Sequence, residues 1–214
     1  MKPTMKTFAA LALSLALALT ASGCGEDDPS PTASGGGQTE SPPKGQLPDG
    51  VNEADVSFAK GMIPHHREAV EMSQAVLDRG ENAQVRDLAT RIAGAQDPEI
   101  ATMTGWLEQW GRPVVGTEHS MEEHSMDGDS MDGNSMEGMM TTAEAEELAA
   151  ASGRDLDLRF VELMIKHHEG ALVMAEEQVA KGTNTDAIQL ATGIIAAQQA
   201  EIDEMTALLT ELRS

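Results

Sequence analysis

Two adjacent histidines, His65 and His66, stand between Met62 and Met72 in the stretch MIPHHREAVEM, and the pattern returns 102 residues later as His167 and His168 between Met164 and Met174 in MIKHHEGALVM. Thioether with imidazole is a donor set suited to Cu(I), and imidazole with carboxylate to Cu(II), Zn(II) or iron. The same residue types also build ordinary interiors, with methionine as gap filler and histidine in a buried polar network that fixes helix register. Beyond the leader the chain has six histidines and twelve methionines. Four histidines and six methionines, the last two being Met103 and Met205, occupy repeat-matched positions. All the others lie between His119 and Met140.

That second group carries its own signal. Residues 120–139 read SMEEHSMDGDSMDGNSMEGM, which sets Met121, Met126, Met131 and Met136 five residues apart, with His119, His124, Met139 and Met140 beside them. Methionine among Ser, Gly, Asp and Glu has no apolar face to join, so burial does not account for it. A low-complexity linker or an oxidant-scavenging cluster would look similar. The chemistry nevertheless favours a flexible Cu(I) or Ag(I) chelator, because thioether sulfur has little affinity for hard cations and stays unprotonated at any working pH.

Positioning these groups requires helices. Asp55–Glu108 aligns without a gap on Asp157–Thr210, with 21 of 54 positions identical. Each copy holds two apolar-periodic segments separated by a turn, Gly80–Asn82 or Gly182–Asn184, which predicts two helices of about 25 residues with Asn82 and Asn184 as caps. Two such hairpins, each with one apolar face, predict an all-α four-helix bundle. On a helical wheel Phe58, Met62, His65, Ala69 and Met72 share a face, as do Phe160, Met164, His167, Ala171 and Met174. His66 and His168 lie about 100° away, so an adjacent pair cannot chelate one ion from an ideal helix. In the second helices Gln96, Glu99 and Met103 share a face, as do Gln198, Glu201 and Met205. A buried carboxylate needs a partner, and the facing histidines are the obvious ones. Whether the two half-sites meet at one centre stays open, although the gapless symmetry makes a shared centre attractive. Pro64 and Pro98 stand mid-segment, where a bend is expected. Residues 111–153 form a long connection ending in a short helix, TTAEAEELAAASG, capped near Thr141 or Thr142 and stopped at Gly153.

The chain's beginning reads as an address. Lys2 and Lys6 precede an apolar run, Phe8–Leu19, and the small residues TASGC, the order of a secretory signal over residues 1–23 and too short to span a bilayer. Cys24, the sole cysteine, stands where the bacterial lipoprotein pattern places the acylated residue, although Ala21 replaces the usual leucine. A lipid-anchored protein on the extracytoplasmic side is expected, with residues 24–50 as a Gly/Pro/Ser-rich tether and residues 51–214 as the duplicated domain (first hairpin 51–110, connection 111–153, second hairpin 154–214). Loss of Lys2 and Lys6 moves the formal charge from −22 to −24. A chain this acidic repels phosphate and excludes nucleic acid as a partner. Metal ions, the membrane and a protein that donates or accepts metal are the expected partners.

The segments FAKGMIPHHREAVEM and FVELMIKHHEGALVM, each followed by Q..EI..M on the next helix, resemble the family called domain of unknown function 305. The resemblance implies a ferritin-like four-helix bundle in exported bacterial proteins, some of which bind copper. It marks Met62, His65, His66, Met72, Gln96, Glu99 and Met103, with Met164, His167, His168, Met174, Gln198, Glu201 and Met205 in the second copy. Lys166 departs from the MIPHH form that Pro64 keeps. Neither histidine pair has the glutamate three residues earlier that di-iron carboxylate bundles use.

Three functions compete. The first is a copper-binding lipoprotein, Cu(I) or Ag(I) favoured, for buffering, sequestration or tolerance. The second is a structural or partner-binding module with a buried polar network. The third, a metal-dependent oxidase, would need an open coordination position and redox turnover. No nucleophile with an adjacent base, phosphate-cradling loop or catalytic motif is visible, so an enzyme is not expected.

Overall fold

Each copy folds where its periodicity and caps place it. The computed structural model describes residues 46–114 and 137–214. Five helices occur there: α1 (Glu53–Arg79), α2 (Ala83–Gln109), α3 (Thr142–Ala150), α4 (Gly153–Lys181) and α5 (Thr185–Arg213), with no strand among the described residues. None is long and apolar enough to cross a membrane. The signal segment, Cys24, most of the tether and the connection from His119 to Met136 lie outside the described residues.

The caps are those the sequence announces. Asn82 accepts from the backbone of Gln84 and Val85, and Asn184 from Ala187. Thr141 and Glu144 close a capping box on α3, satisfying amides the helix itself leaves unpaired. Glu144 is also bound by Lys166 of α4 at 2.8 Å, which together with the capping bonds lowers its pKa to about 2 and pins α3 to α4. One boundary differs from expectation. Gly153 does not stop α3, which ends at Ala150; it opens α4 with φ +56°, turning the chain between the two helices. Both α1 and α2 run without interruption through Pro64 and Pro98.

The helices pack closely within each hairpin and between antiparallel α1 and α4. Buried apolar residues form two clusters rather than one. Val56, Phe58, Met62, Ile63, Met103, Leu107 and Trp110 join Ala171, Met174 and Ile194 at one end. Met72, Val76, Leu88 and Ile92 join Leu156, Phe160, Met164, Met205 and Leu208 at the other. The division falls at His65–His66 on α1 and His167–His168 on α4, all of them buried.

A pair of crossed aspartate clasps holds the hairpins in register. Asp55, at the start of α1, accepts from the backbone amides of Thr183 (3.1 Å) and Asn184 (3.1 Å), the Thr183 hydroxyl (3.1 Å) and the Gln178 amide (2.6 Å). Its repeat mate Asp157, on α4, accepts from Glu81 (3.2 Å) and Asn82 (2.8 Å). Each hairpin's first helix thereby ties down the other hairpin's turn. Glycine is needed at both turns, since a Cβ on Gly80 would stand 2.6 Å from Asp157 Oδ1 and one on Gly182 2.7 Å from Asp55 Oδ1.

Burial alone would raise the Asp55 pKa, but bonds from Asn52, Gln178, Asn184 and Thr183 outweigh it and hold the value below 3.8. A carboxylate with a depressed native pKa stabilises fully above its unfolded value and loses that contribution as pH falls through the native one. Asp55→Asn aims an amide donor at existing donors, so we expect urea denaturation at pH 7 to show a loss of about 1–3 kcal/mol. The gap from the unsubstituted protein should narrow as pH falls below about 3.8. An equal gap at pH 7 and pH 3 would mean that the Asp55 charge plays no part.

Candidate metal centre

The polar layer between the two apolar clusters is built from the residues the repeat singles out. His65 and His167 meet where α1 crosses α4, their ring centroids 3.7 Å apart and their planes inclined at 41°. His66 and His168 turn outward to the second helix of their own hairpin. His66 Nε2 donates to Glu99 Oε2 at 2.6 Å, and His168 Nε2 to Glu201 Oε2 at 2.7 Å. The two copies thus supply one central imidazole pair and two flanking His–Glu pairs. The expected partnership of glutamate with histidine takes this form within each hairpin, through the second histidine of each pair rather than the first.

Hydrogen bonding leaves many lone pairs unclaimed. A carboxylate only accepts, so the bonds to Glu99 and Glu201 place a proton on Nε2 and, in the neutral ring, leave the lone pair on Nδ1. His65 Nε2 likewise faces the backbone carbonyl of Glu137 at 3.2 Å. The Nδ1 atoms of all four histidines, Nε2 of His167 and the side-chain oxygens of Gln96 and Gln198 are buried without a hydrogen-bond partner. His167 Nε2 lies 3.4 Å from Glu68 Oε2, near enough for Coulomb attraction but longer than an ordinary hydrogen bond.

Such a layer fits a bound cation. Buried polar atoms normally find partners, and the unpartnered Nδ1 atoms of His65, His66 and His168, one nitrogen of His167 and the Gln96 and Gln198 oxygens are lone pairs that a positive ion could use. A carboxylate holding the far nitrogen of an imidazole fixes its tautomer and orientation, the usual support of a metal-bound histidine. Met62, Met103 and Met174 gather on one side of the layer, and their repeat mates Met164, Met205 and Met72 on the other. Met140 packs against the second group, and Met139 is half-buried. Among the described residues no three His, Cys, Asp or Glu side chains form a metal-holding group. His119, Met121, His124, Met126, Met131 and Met136 lie outside the described residues.

Sequence reasoning missed Glu68 and Gly170, which occupy the same position in the two copies. Glu68 Oε2 accepts from the Met140 amide at 2.9 Å, and Gly170 packs against the backbone of Glu137 and Gly138. The two copies differ at several positions in this stretch, Pro64/Lys166 and Arg67/Glu169 among them, so nothing in the sequence singled this pair out.

Fold and interior together define a class, a duplicated helical-hairpin bundle with a buried layer of histidine and glutamate between methionine-containing ends. The chain belongs to the family described as Domain of unknown function (DUF305), whose model matches residues 55–209. It is similar to a DUF305 secreted-protein candidate from Streptomyces coelicolor, at 36% identity and a TM-score of 0.66 over 75% of this chain and 94% of that one. A DUF305 fragment from Deinococcus radiodurans is similar at 27% identity and a TM-score of 0.63, over 75% and 98% of the two chains. CopM in its Cu(II)-bound form is similar at 30% identity and a TM-score of 0.58, over 73% and 96%, and CopM has also been solved with Cu(I) and with silver. An uncharacterized protein of Acanthamoeba polyphaga mimivirus is 36% identical over 55 residues, 26% of this chain and 36% of that one.

Burial pushes the His65 pKa well below 6.5, with repulsion from His167 adding to the effect, and burial lowers His167 against the pull of Glu68. A histidine depressed in the native state stabilises fully above its unfolded pKa, and that stability drains as pH falls through 6.5 toward the native value. The metal-free protein should therefore lose up to about 1.4 kcal/mol per pH unit for each of the two rings below pH 6.5. Denaturation from pH 7.5 to 5 should show most of this slope removed in the His65→Gln/His167→Gln variant. A slope that survives the substitution would place the titrating groups elsewhere.

Proposed function

We propose that this chain is an exported metal-binding protein whose cargo is a soft or borderline ion, copper or silver, Cu(I) favoured. The observation that carries the proposal is the central pair, two buried imidazoles 3.7 Å apart with three of their four ring nitrogens unpartnered. His65 and His167 would hold the ion, His66 and His168 would stand ready on their glutamates, and the methionine groups would supply thioether sulfur. Solved copper- and silver-bound CopM structures support the same cargo class. The methionines at 121, 126, 131 and 136 would catch the ion, and Met139 and Met140 would lead it to the bundle. Such a design suits buffering or sequestration outside the cytoplasm. The leader supports export, as does the similarity to the Streptomyces coelicolor protein, and acylation of Cys24 would tether the domain through the Gly/Pro/Ser-rich stretch that follows it. Binding rather than turnover is the role inferred.

A second reading has an observation in its favour. The short His66–Glu99 and His168–Glu201 bonds are what a register-fixing polar network requires, with or without metal.

Anaerobic Cu(I) titration against a competing chromophoric chelator separates the two. We expect tight uptake by the full chain, reduced stoichiometry when Met121, Met126, Met131 and Met136 become leucine, and loss of a further site in His65→Ala/His167→Ala. Uptake unchanged by the leucine substitutions would remove the connection from the function. No competitive uptake by any form would leave the histidines as a register network, and steady oxygen consumption with a reducing substrate would replace the binding role with an oxidase.

A further inference from the structure

The duplication makes the histidine layer nearly symmetric, but among the described residues one linking segment, residues 137–140, lies against it from one side. Four observations place this segment on one side of the layer. The Glu137 carbonyl accepts from His65 Nε2 at 3.2 Å. The Met140 amide donates to Glu68 Oε2 at 2.9 Å. Gly138, at φ +82°, lies so close to α4 that a Cβ there would stand 2.8 Å from the Lys166 carbonyl and 3.0 Å from that of His167. A Cβ on Gly170 would stand 2.1 Å from the Glu137 carbonyl oxygen.

We propose that residues 137–140 form a latch over the central histidine pair, positioned by Gly170 of α4 and Glu68 of α1, and that opening this latch exposes His65. The repeat supplies the device by a single divergence. At one position the first copy keeps a carboxylate that grips the segment, and the second has no side chain, so the backbone can descend between. Just beyond the latch the chain is fixed, because Glu144 is bound to Lys166 and the Arg79 guanidinium holds the Ala149 and Ala151 carbonyls. Two ordinary hydrogen bonds and a close backbone contact give an open population on the order of a per cent. Resting on the metal-binding function proposed above, the Glu137 carbonyl holds Nε2 of His65 and leaves Nδ1 for an ion, so the latch governs access to that ring without having to give up its own bond.

The test uses the full-length metal-free protein and diethyl pyrocarbonate, with the modified histidines mapped by mass spectrometry. Gly170→Ala puts a methyl where the Glu137 carbonyl sits while favouring the α4 helix, so helicity should be kept. We expect carbethoxylation of His65 to rise tenfold or more, with His66 and His168 changing less than twofold behind Glu99 and Glu201. Glu68→Ala, which removes the acceptor for Met140, should raise the same rate by a smaller factor. Unchanged His65 reactivity in both variants, with helicity intact, would overturn the latch. A parallel rise at all four histidines would also overturn it, because the bundle itself would then be opening. Ag(I) association, followed by rapid mixing, should be faster in Gly170→Ala than in the unsubstituted protein. Absence of Ag(I) uptake by both would refute the metal function, and carbethoxylation would still decide the cover.

Discussion

The antiparallel register of α1 against α4 is the constraint on which the rest of the molecule depends, and the crossed aspartates set it. Asp55 binds Gln178 and the turn that follows it. From Asp55 to His65 is ten residues along α1, and from Gln178 back to His167 is eleven along α4, about 15 and 16 Å at the rise of a helix. Fastening the helices at that point therefore brings the two rings opposite each other, as their 3.7 Å separation records. A slip of one residue would carry the buried imidazoles into the neighbouring apolar clusters, where nothing could satisfy them. The clasp and the polar layer reinforce one another, each unfavourable in any register but this one.

Duplication explains the symmetry, and its failures show where the copies have diverged. Gln178 gives Asp55 a side-chain donor. Its counterpart Val76 cannot do the same for Asp157, whose Oδ1 is left without a partner. Trp106 and Trp110 stack at 5.9 Å where the second copy has Leu208 and Leu212, so the two apolar ends are filled by different means. Glu68 and Gly170 differ where one linking segment must lie across a two-fold layer. A single connection cannot be symmetric, and the residues beneath it have adapted to it from the two sides.

Much of this architecture is legible in the chain because it rests on local rules. Helical periodicity, the Asn82, Thr141 and Asn184 caps and the gapless repeat require only near neighbours. The pairing of glutamate with histidine follows from the cost of an unpaired carboxylate, and it closes within one hairpin across 33 residues. The clasps and the latch contacts were hidden because they join residues 72 to 129 apart, so they depend on how two hairpins lie against each other. Asp55 and Asp157 were visible as the first matched pair of the repeat, and Gly80 and Gly182 as matched glycines. Their reason, a carboxylate of one copy entering the turn of the other, exists only once the hairpins are assembled. Met62 and Met72 show the same limit. They share a helical face yet belong to opposite clusters, because the histidine layer divides that face.

The unclaimed lone pairs bear on stability as well as on binding. Leaving a buried polar atom unsatisfied costs roughly 1–3 kcal/mol, and four Nδ1 atoms, one Nε2 and two amide oxygens are in that state within or beside the layer. A bundle selected only for stability would fill these positions with leucine, as buried polar groups often stabilise less than well-packed apolar ones. Two methionine-containing apolar ends, capped and clasped backbone amides and long helices instead support an interior with several unsatisfied polar atoms. Any ligand bound only by the folded state would stabilise it by about 4 kcal/mol at a thousand times its dissociation constant. Burial keeps the central rings from taking up protons readily, and contacts that lie away from the layer hold its register.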